Sequence, residues 1–176
     1  MLRGRSGTEW AINSHKISDK FILLNNEIIS VPIPNNLIGK PVNYKAVTLG
    51  KTLAETDSFT FTYIGRALKP FAPVYAQATK DAEGSIIISW IRRSRIDNDW
   101  RDYVDIPIGE TLEKYEIDIS KKKKLIRTLE TTTESVTYTK EQINNDFRNP
   151  PVELTATIYQ LSAQIGRGYS TTITLN

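Results

Sequence analysis

The sequence predicts an all-β protein, a small N-terminal β-rich domain followed by a seven-stranded β-sandwich, and three observations carry that prediction. Gly84-Ser85-Ile86-Ile87-Ile88-Ser89-Trp90-Ile91 is a β-branched and aromatic run beside a turn signal, as a buried strand with Trp90 near its end would be. Pro70-Phe71-Ala72-Pro73-Val74 precedes it, a proline-marked start that resists helix. Lys114-Tyr115-Glu116-Ile117-Asp118-Ile119 follows it with strict period-two alternation. A proline-marked start, a tryptophan strand and an alternating tyrosine strand, in this order, match a sandwich of the fibronectin type III kind.

The other elements follow in chain order. Residues 7–12 read as a helical turn or loop. Lys20-Phe21-Ile22-Leu23-Leu24 and Glu27-Ile28-Ile29-Ser30-Val31 flank Asn25-Asn26, whose asparagines suit a hairpin turn because they tolerate positive φ. Pro32, Pro34 and Asn35-Asn36 end that pair. Strands are then expected over 43–50 and 58–63, the second with Phe59, Phe61 and Tyr63 on one face and Ser58, Thr60 and Thr62 on the other. Two prolines stiffen residues 70–74 into an extended linker. The expected division is therefore a β-rich domain over 1–69, a linker over 70–74 and the sandwich over 75–176. Within the sandwich, strands are expected at 74–79, 85–91, 113–120, 125–131, 135–139, 154–161 and 169–175. A short helical turn occupies 140–147, and Ile165-Gly166-Arg167-Gly168 forms the last tight turn.

Composition limits the chemistry. The chain has 176 residues, 39% hydrophobic and 24% charged, which separates it from disordered tails. No apolar run approaches the roughly 20 residues that span a bilayer, so no membrane insertion is expected. Nor does an apolar stretch follow the basic N-terminus as in a secretory signal. With no cysteine there is neither a disulfide nor a thiolate metal site, and folding in a reducing cytoplasm is expected. The net charge of +3 divides unevenly: nine Lys/Arg against five acids over 1–72, a net +4, and fourteen against fifteen over 73–176, a net −1. Neither share is basic enough to argue nucleic-acid binding.

Candidate chemistry concentrates between Arg92 and Gly109. Asp97, Asp99, Asp102, Asp105 and Glu110 could supply oxygen ligands to calcium or the acid pair of a glycosidase. The glycine and terminal glutamate of an EF-hand register are missing, and Arg92, Arg93, Arg95 and Arg101 are interleaved, so a mutually paired charge network is the favoured reading. His15, the only histidine, reads as a loop residue, since no Gly-x-Ser-x-Gly elbow is present. Lys121-Lys122-Lys123-Lys124 reads as a hairpin loop kept soluble by charge, with contact to an acidic polymer as the alternative. Gly166-Arg167-Gly168 reads as a tight turn rather than a phosphate cradle. Arg93, Arg95, Trp100 and Tyr103 are the candidate contact residues, because arginine and large aromatics on a rigidly held loop suit binding. Trp90 and Tyr115 are assigned to the core. No catalytic residue, metal or cofactor is expected.

Several ordered motifs also resemble a known family. They are residues 2–9, Phe21-Ile22-Leu23-Leu24, residues 62–70, Trp90-Ile91-Arg92-Arg93-Ser94-Arg95 with Trp100-Arg101-Asp102, Pro107-Ile108-Gly109-Glu110, and Tyr159-Gln160-Leu161-Ser162 before Gly166-Arg167-Gly168. They resemble the C-terminal part of the large tail-tip, or baseplate hub, protein of gene transfer agents and related siphophage-like tails, over essentially the whole chain. The resemblance implies a non-catalytic structural role in a virion or phage-like tail, made in the bacterial cytoplasm. Its implied partners are other tail or baseplate proteins, with a host-surface glycan or receptor and homo-oligomerisation as further options. It also implies that this chain lacks the upstream regions of such proteins, as a C-terminal fragment, a split reading frame or a remnant would. Two alternatives stay open: a carbohydrate-binding module stacking sugar on Trp100 and Tyr103, and a glycan hydrolase using Asp99 and Glu110.

Overall fold

Two groups of strands form, divided between Ala67 and Leu68 in a computed structural model that describes residues 14, 16–19, 31–96, 106–147 and 153–175. In the first unit β1 (Pro41–Lys45) pairs antiparallel with β2 (Ser58–Thr62), with Val42 opposite Phe61 and Tyr44 opposite Phe59. Alternation sorts the two faces as the sequence predicts. Asn43 and Thr60 hydrogen-bond on one face at 2.7 Å, while Tyr44 and Phe59 stack on the other with ring centroids 5.6 Å apart. A 3-10 turn over Asn35–Leu37 leads in, and the Gly39 amide donates to the Tyr63 carbonyl. The expected strand over 43–50 ends at Lys45 instead. A turn closed by Lys51 N–H to the Thr48 carbonyl follows, with Gly50 at φ +88°, a conformation that ends extended pairing. The helical turn over 7–12 and nearly all of the hairpin over 20–31 lie outside the described residues.

The second unit is the seven-stranded sandwich. Its strands are β3 (Val74–Lys80), β4 (Ile86–Ile91), β5 (Tyr115–Lys121), β6 (Lys124–Thr131), β7 (Ser135–Tyr138), β8 (Leu154–Ser162) and β9 (Gly166–Leu175). They form a three-stranded sheet ordered β3-β4-β7 and a four-stranded sheet ordered β6-β5-β8-β9, all antiparallel. The chain is all-β, with a fibronectin type III-like sandwich following a small β-rich unit. The inward residues of the alternating strands meet between the sheets: Ile88 and Trp90 from β4, Tyr115, Ile117 and Ile119 from β5, and Ala156 and Ile158 from β8. Fully burying each large aliphatic or aromatic side chain contributes about 1.5–3 kcal/mol. Leu129, Tyr138, Ile143, Phe147, Leu154 and Leu175 complete the same core.

Residues 70–74 differ from expectation. Rather than a stiff linker between domains, they are part of the second unit, because Phe71 and Pro73 are buried in it and the Pro70 carbonyl accepts the Tyr169 amide of β9. The Thr171 hydroxyl donates to the Pro73 carbonyl as well. Prolines have no N–H to offer a ladder, but their carbonyls accept from an edge strand, so this segment runs along β9 before the chain crosses to β4. The crossing is marked by a bulge between Val74 and Gln77, with Tyr75 at φ +50°.

A helix α1 (Lys140–Asp146) stands where the helical turn is expected. A capping box starts it, in which Thr139 and Gln142 exchange side-chain to backbone hydrogen bonds. The last hairpin turn sits at 163–165, and β9 begins at Gly166, earlier than the sequence predicts.

Candidate functional site

The long β4–β5 connection leaves the sandwich above an aromatic plug. Trp90 and Tyr115 meet edge to face at 5.1 Å and 65°, and the Tyr115 hydroxyl donates to Glu113 Oε1 at 2.8 Å. Burial, then that carboxylate, raises the Tyr115 phenol well above its ordinary range, so it stays protonated.

Two arginines tie down both ends of the connection. Arg92 Nη1 donates to the Ile106 carbonyl at 2.8 Å, and its Nε lies 3.3 Å from Glu134 Oε1 and 4.0 Å from Glu113. Arg95 Nε reaches Glu110 Oε1 at 3.0 Å while Nη2 reaches the Gly109 carbonyl at 3.2 Å. Between them the Ser94 hydroxyl donates to the Ile96 carbonyl and accepts from the Ile96 amide. Gly109, at φ +74°, lets the returning chain pass Ile96, where an added Cβ would lie 3.1 Å from Ile96 Cγ1.

Of the four expected contact residues, Arg93 and Arg95 lie among the described residues. Arg93 lies over the Phe71 ring at 4.9 Å, and desolvation lowers its pKa. Arg95 is committed to the loop's own support: its partner Glu110 has a side chain only 5% exposed, so neither charge is displayed for a ligand. Glu110 is thereby also spent as a hydrolase carboxylate. Trp100, Tyr103, Asp97, Asp99, Asp102 and Asp105, like His15, lie outside the described residues. Sequence reasoning expected a mutually paired charge network here, and Arg95–Glu110 is one such pair. Arg92 instead takes Glu113, from the far end of the same connection, and Glu134, from the turn between β6 and β7. No group of three or more His, Asp or Glu is placed to hold a metal among the described residues.

A second polar constellation covers the outer face of the four-stranded sheet. Arg167 donates from Nε to Glu116 Oε2 at 2.6 Å and from both terminal nitrogens to Asp118, at 2.6 and 3.0 Å. Its guanidinium lies over the Tyr159 ring at 4.5 Å, crossing β8 to reach β5. Thr128 donates to the same Asp118 at 2.7 Å. Burial alone would raise the Asp118 carboxyl, but the bonds from Arg167 and Thr128 outweigh it and hold the carboxyl below its ordinary range. Sequence reasoning missed this cluster. Period-two alternation does put Glu116 and Asp118 on one face, and that was the available signal.

The N-terminal pair offers a third surface. Phe59 and Phe61 are 57% and 50% exposed, an aromatic stripe shared with Tyr44. Adjacent exposed aromatics on a sheet face are rarer than single exposed apolar residues, and mark contact surfaces.

Comparison with known proteins adds a fold-level likeness. No family model matches the chain, and no curated protein matches it. Among solved structures it is similar to domains d3–d4 of the rat CD45 extracellular region, at 14% identity over 93% of this chain and 78% of that one, with a TM-score of 0.45. It is also similar to the FN5 domain of Drosophila Lar, at 17% identity over 60% of this chain and 94% of that one, with a TM-score of 0.38. The Clostridium perfringens spore cortex lytic enzyme SleM is similar at 12% identity over 76% of this chain and 38% of that one, with a TM-score of 0.40.

Proposed function

We propose that this chain is a non-catalytic structural component of the tail tip or baseplate of a phage-like particle or gene transfer agent, acting through protein–protein contacts that extend to host-surface recognition. The observation that carries the reading is the aromatic stripe of β1 and β2, the exposed Phe59 and Phe61 with the half-buried Tyr44. A two-stranded sheet is marginal in water without a surface against its apolar face, and a neighbouring subunit supplies one. The resemblance of several ordered motifs to tail-tip proteins supports the same reading from the sequence side. So do the described ends of the β4–β5 connection, where Arg92 and Arg95 bond the returning chain rather than being displayed.

The test is localisation. In particles purified from producing cells, the chain is expected at a fixed small copy number by mass spectrometry, with antibody labelling confined to the tail tip. Its absence from particles overturns the proposal. A variant carrying Phe59→Ser and Phe61→Ser is expected to fold its sandwich normally, judged by an unchanged melt, yet to enter particles at least about tenfold less often.

A further inference from the structure

At the end of the sandwich opposite the β4–β5 connection, β5 and β6 are joined by four consecutive lysines, with Lys121 still paired to Lys124. Both residues between them are left-handed, Lys122 at φ +48° and Lys123 at φ +67°. This is the geometry of a two-residue hairpin turn that Asn-Gly fills without penalty, and a lysine with its Cβ is disfavoured at each position. Solubility and edge protection do not need charge there, since lysines along the exposed edge of β6 would serve without left-handed backbone. The positions therefore hold lysine for the charge itself.

The charge is also left unused among the described residues. Lys121 lies over the Phe147 ring at 5.4 Å, but the side chains of Lys122, Lys123 and Lys124 have no hydrogen-bond, ion-pair or ring partner among the described residues. Beside the turn opens a concavity of about 520 Å³ lined by Ser120, Lys121, Lys122, Lys123, Leu154 and Thr155, with Glu153 as its one carboxylate among the described residues. Lysines and hydroxyls around an open recess are the donor set for a tetrahedral anion.

We infer that this hairpin and its recess bind a linear, flexible polymer of phosphate groups. Three comparisons choose phosphate polymer over other polyanions. Where this chain grips a buried carboxylate it uses arginine, at Glu110, Asp118 and Asp146, whereas the hairpin is purely lysine, a point charge suited to phosphate without bidentate geometry. Among the described residues no aromatic side chain lines the recess to stack a base as single-stranded nucleic acid requires. And four lysines on one turn span too little to match the roughly six to ten phosphate contacts of a typical duplex-binding surface. The inference stands independently of the tail-tip reading, since it needs only the isolated chain and a soluble polymer.

The experiment titrates the full chain with long-chain inorganic polyphosphate, single-stranded DNA, duplex DNA and polyglutamate, following binding by calorimetry. Polyphosphate is expected to bind, and to weaken about 20–50-fold between roughly 50 and 200 mM salt, as release of three or four counterions requires. Replacing the turn by Asn-Gly (K122N/K123G) is expected to raise the melting temperature by about 5 °C while weakening polyphosphate binding at least about tenfold. E153Q is expected to tighten it about twofold. K122Q/K124Q, which keeps side-chain length, is the second variant and is expected to weaken binding to a similar degree. The inference is overturned if polyphosphate does not bind the parent chain at low salt, if both lysine variants bind undiminished, or if either DNA or polyglutamate binds as tightly as polyphosphate.

Discussion

Arg167 shows what one residue does when three neighbours converge on it. Its guanidinium satisfies both oxygens of Asp118, takes Glu116 as a second acid and rests on Tyr159, so β9 is tied across β8 to β5. Removing it leaves the mostly buried Asp118 carboxylate with only the Thr128 hydroxyl as partner. Arg167→Ala is expected to destabilise the sandwich by about 2 kcal/mol, discounted for the arginine's own partial exposure, read as a lower urea midpoint. Arg167→Lys is expected to recover less than half of that, because an ammonium cannot bond Asp118 bidentately. Asp146 is held below its ordinary value by Arg127, at 2.6 and 2.7 Å, and by the Tyr138 hydroxyl. Asp118 and Asp146 both have depressed carboxyls in the folded state. Their stabilising contribution is therefore complete above the unfolded carboxyl value of about 4 and is lost as the pH falls below it. Urea midpoints are expected to stay flat from about pH 7 to 5 and to fall steeply between about pH 4 and 2.5. Asp146→Asn should lower the plateau and make that fall shallower. None of this was legible at Arg167, where a turn explained both flanking glycines, because its partners lie 49 and 51 residues away.

At the scale of elements, the strands were legible because each is one face buried and one wet. Tyr115, Ile117 and Ile119 point inward between Glu116 and Asp118, and that alternation is visible without any partner strand. The Thr139 and Gln142 pair at the head of α1 is likewise a local signal, and the helix starts where it indicates. Residues 70–74 were misjudged for a physical reason. Prolines signal stiffness equally in a linker and in an edge segment, and only a facing strand distinguishes the two. Gly168 records that facing strand, because a Cβ there would lie 2.6 Å from the Pro70 carbonyl oxygen and 3.0 Å from that of Gln160. Gly168→Ala is expected to cost about 1–3 kcal/mol by overpacking this seam, measured by chemical denaturation, whereas Gly166→Ala would lose stability through its φ of +74° alone.

Over the whole molecule, two units carry separate loads. Among the described residues the sandwich has its own continuous core of thirteen buried side chains, all from residues beyond 87. A fragment spanning Leu68–Asn176 is accordingly expected to unfold cooperatively with the same midpoint, within error, as the sandwich transition of the full chain, followed by circular dichroism in urea. A fragment beginning at residue 75 would lose Pro70, Phe71 and Pro73 from the edge of β9 and is expected to melt lower. The first unit, by contrast, displays Phe59 and Phe61. What the sequence determined by itself was the class of fold and the inward residues of most strands, since alternation and turn chemistry act over a few neighbouring residues. Which charges meet was left to the tertiary structure: Arg95 with Glu110, Arg167 with Asp118, Arg127 with Asp146. A charge pair depends on strand register and on which elements share a face, and those are settled only when distant segments of chain pack together.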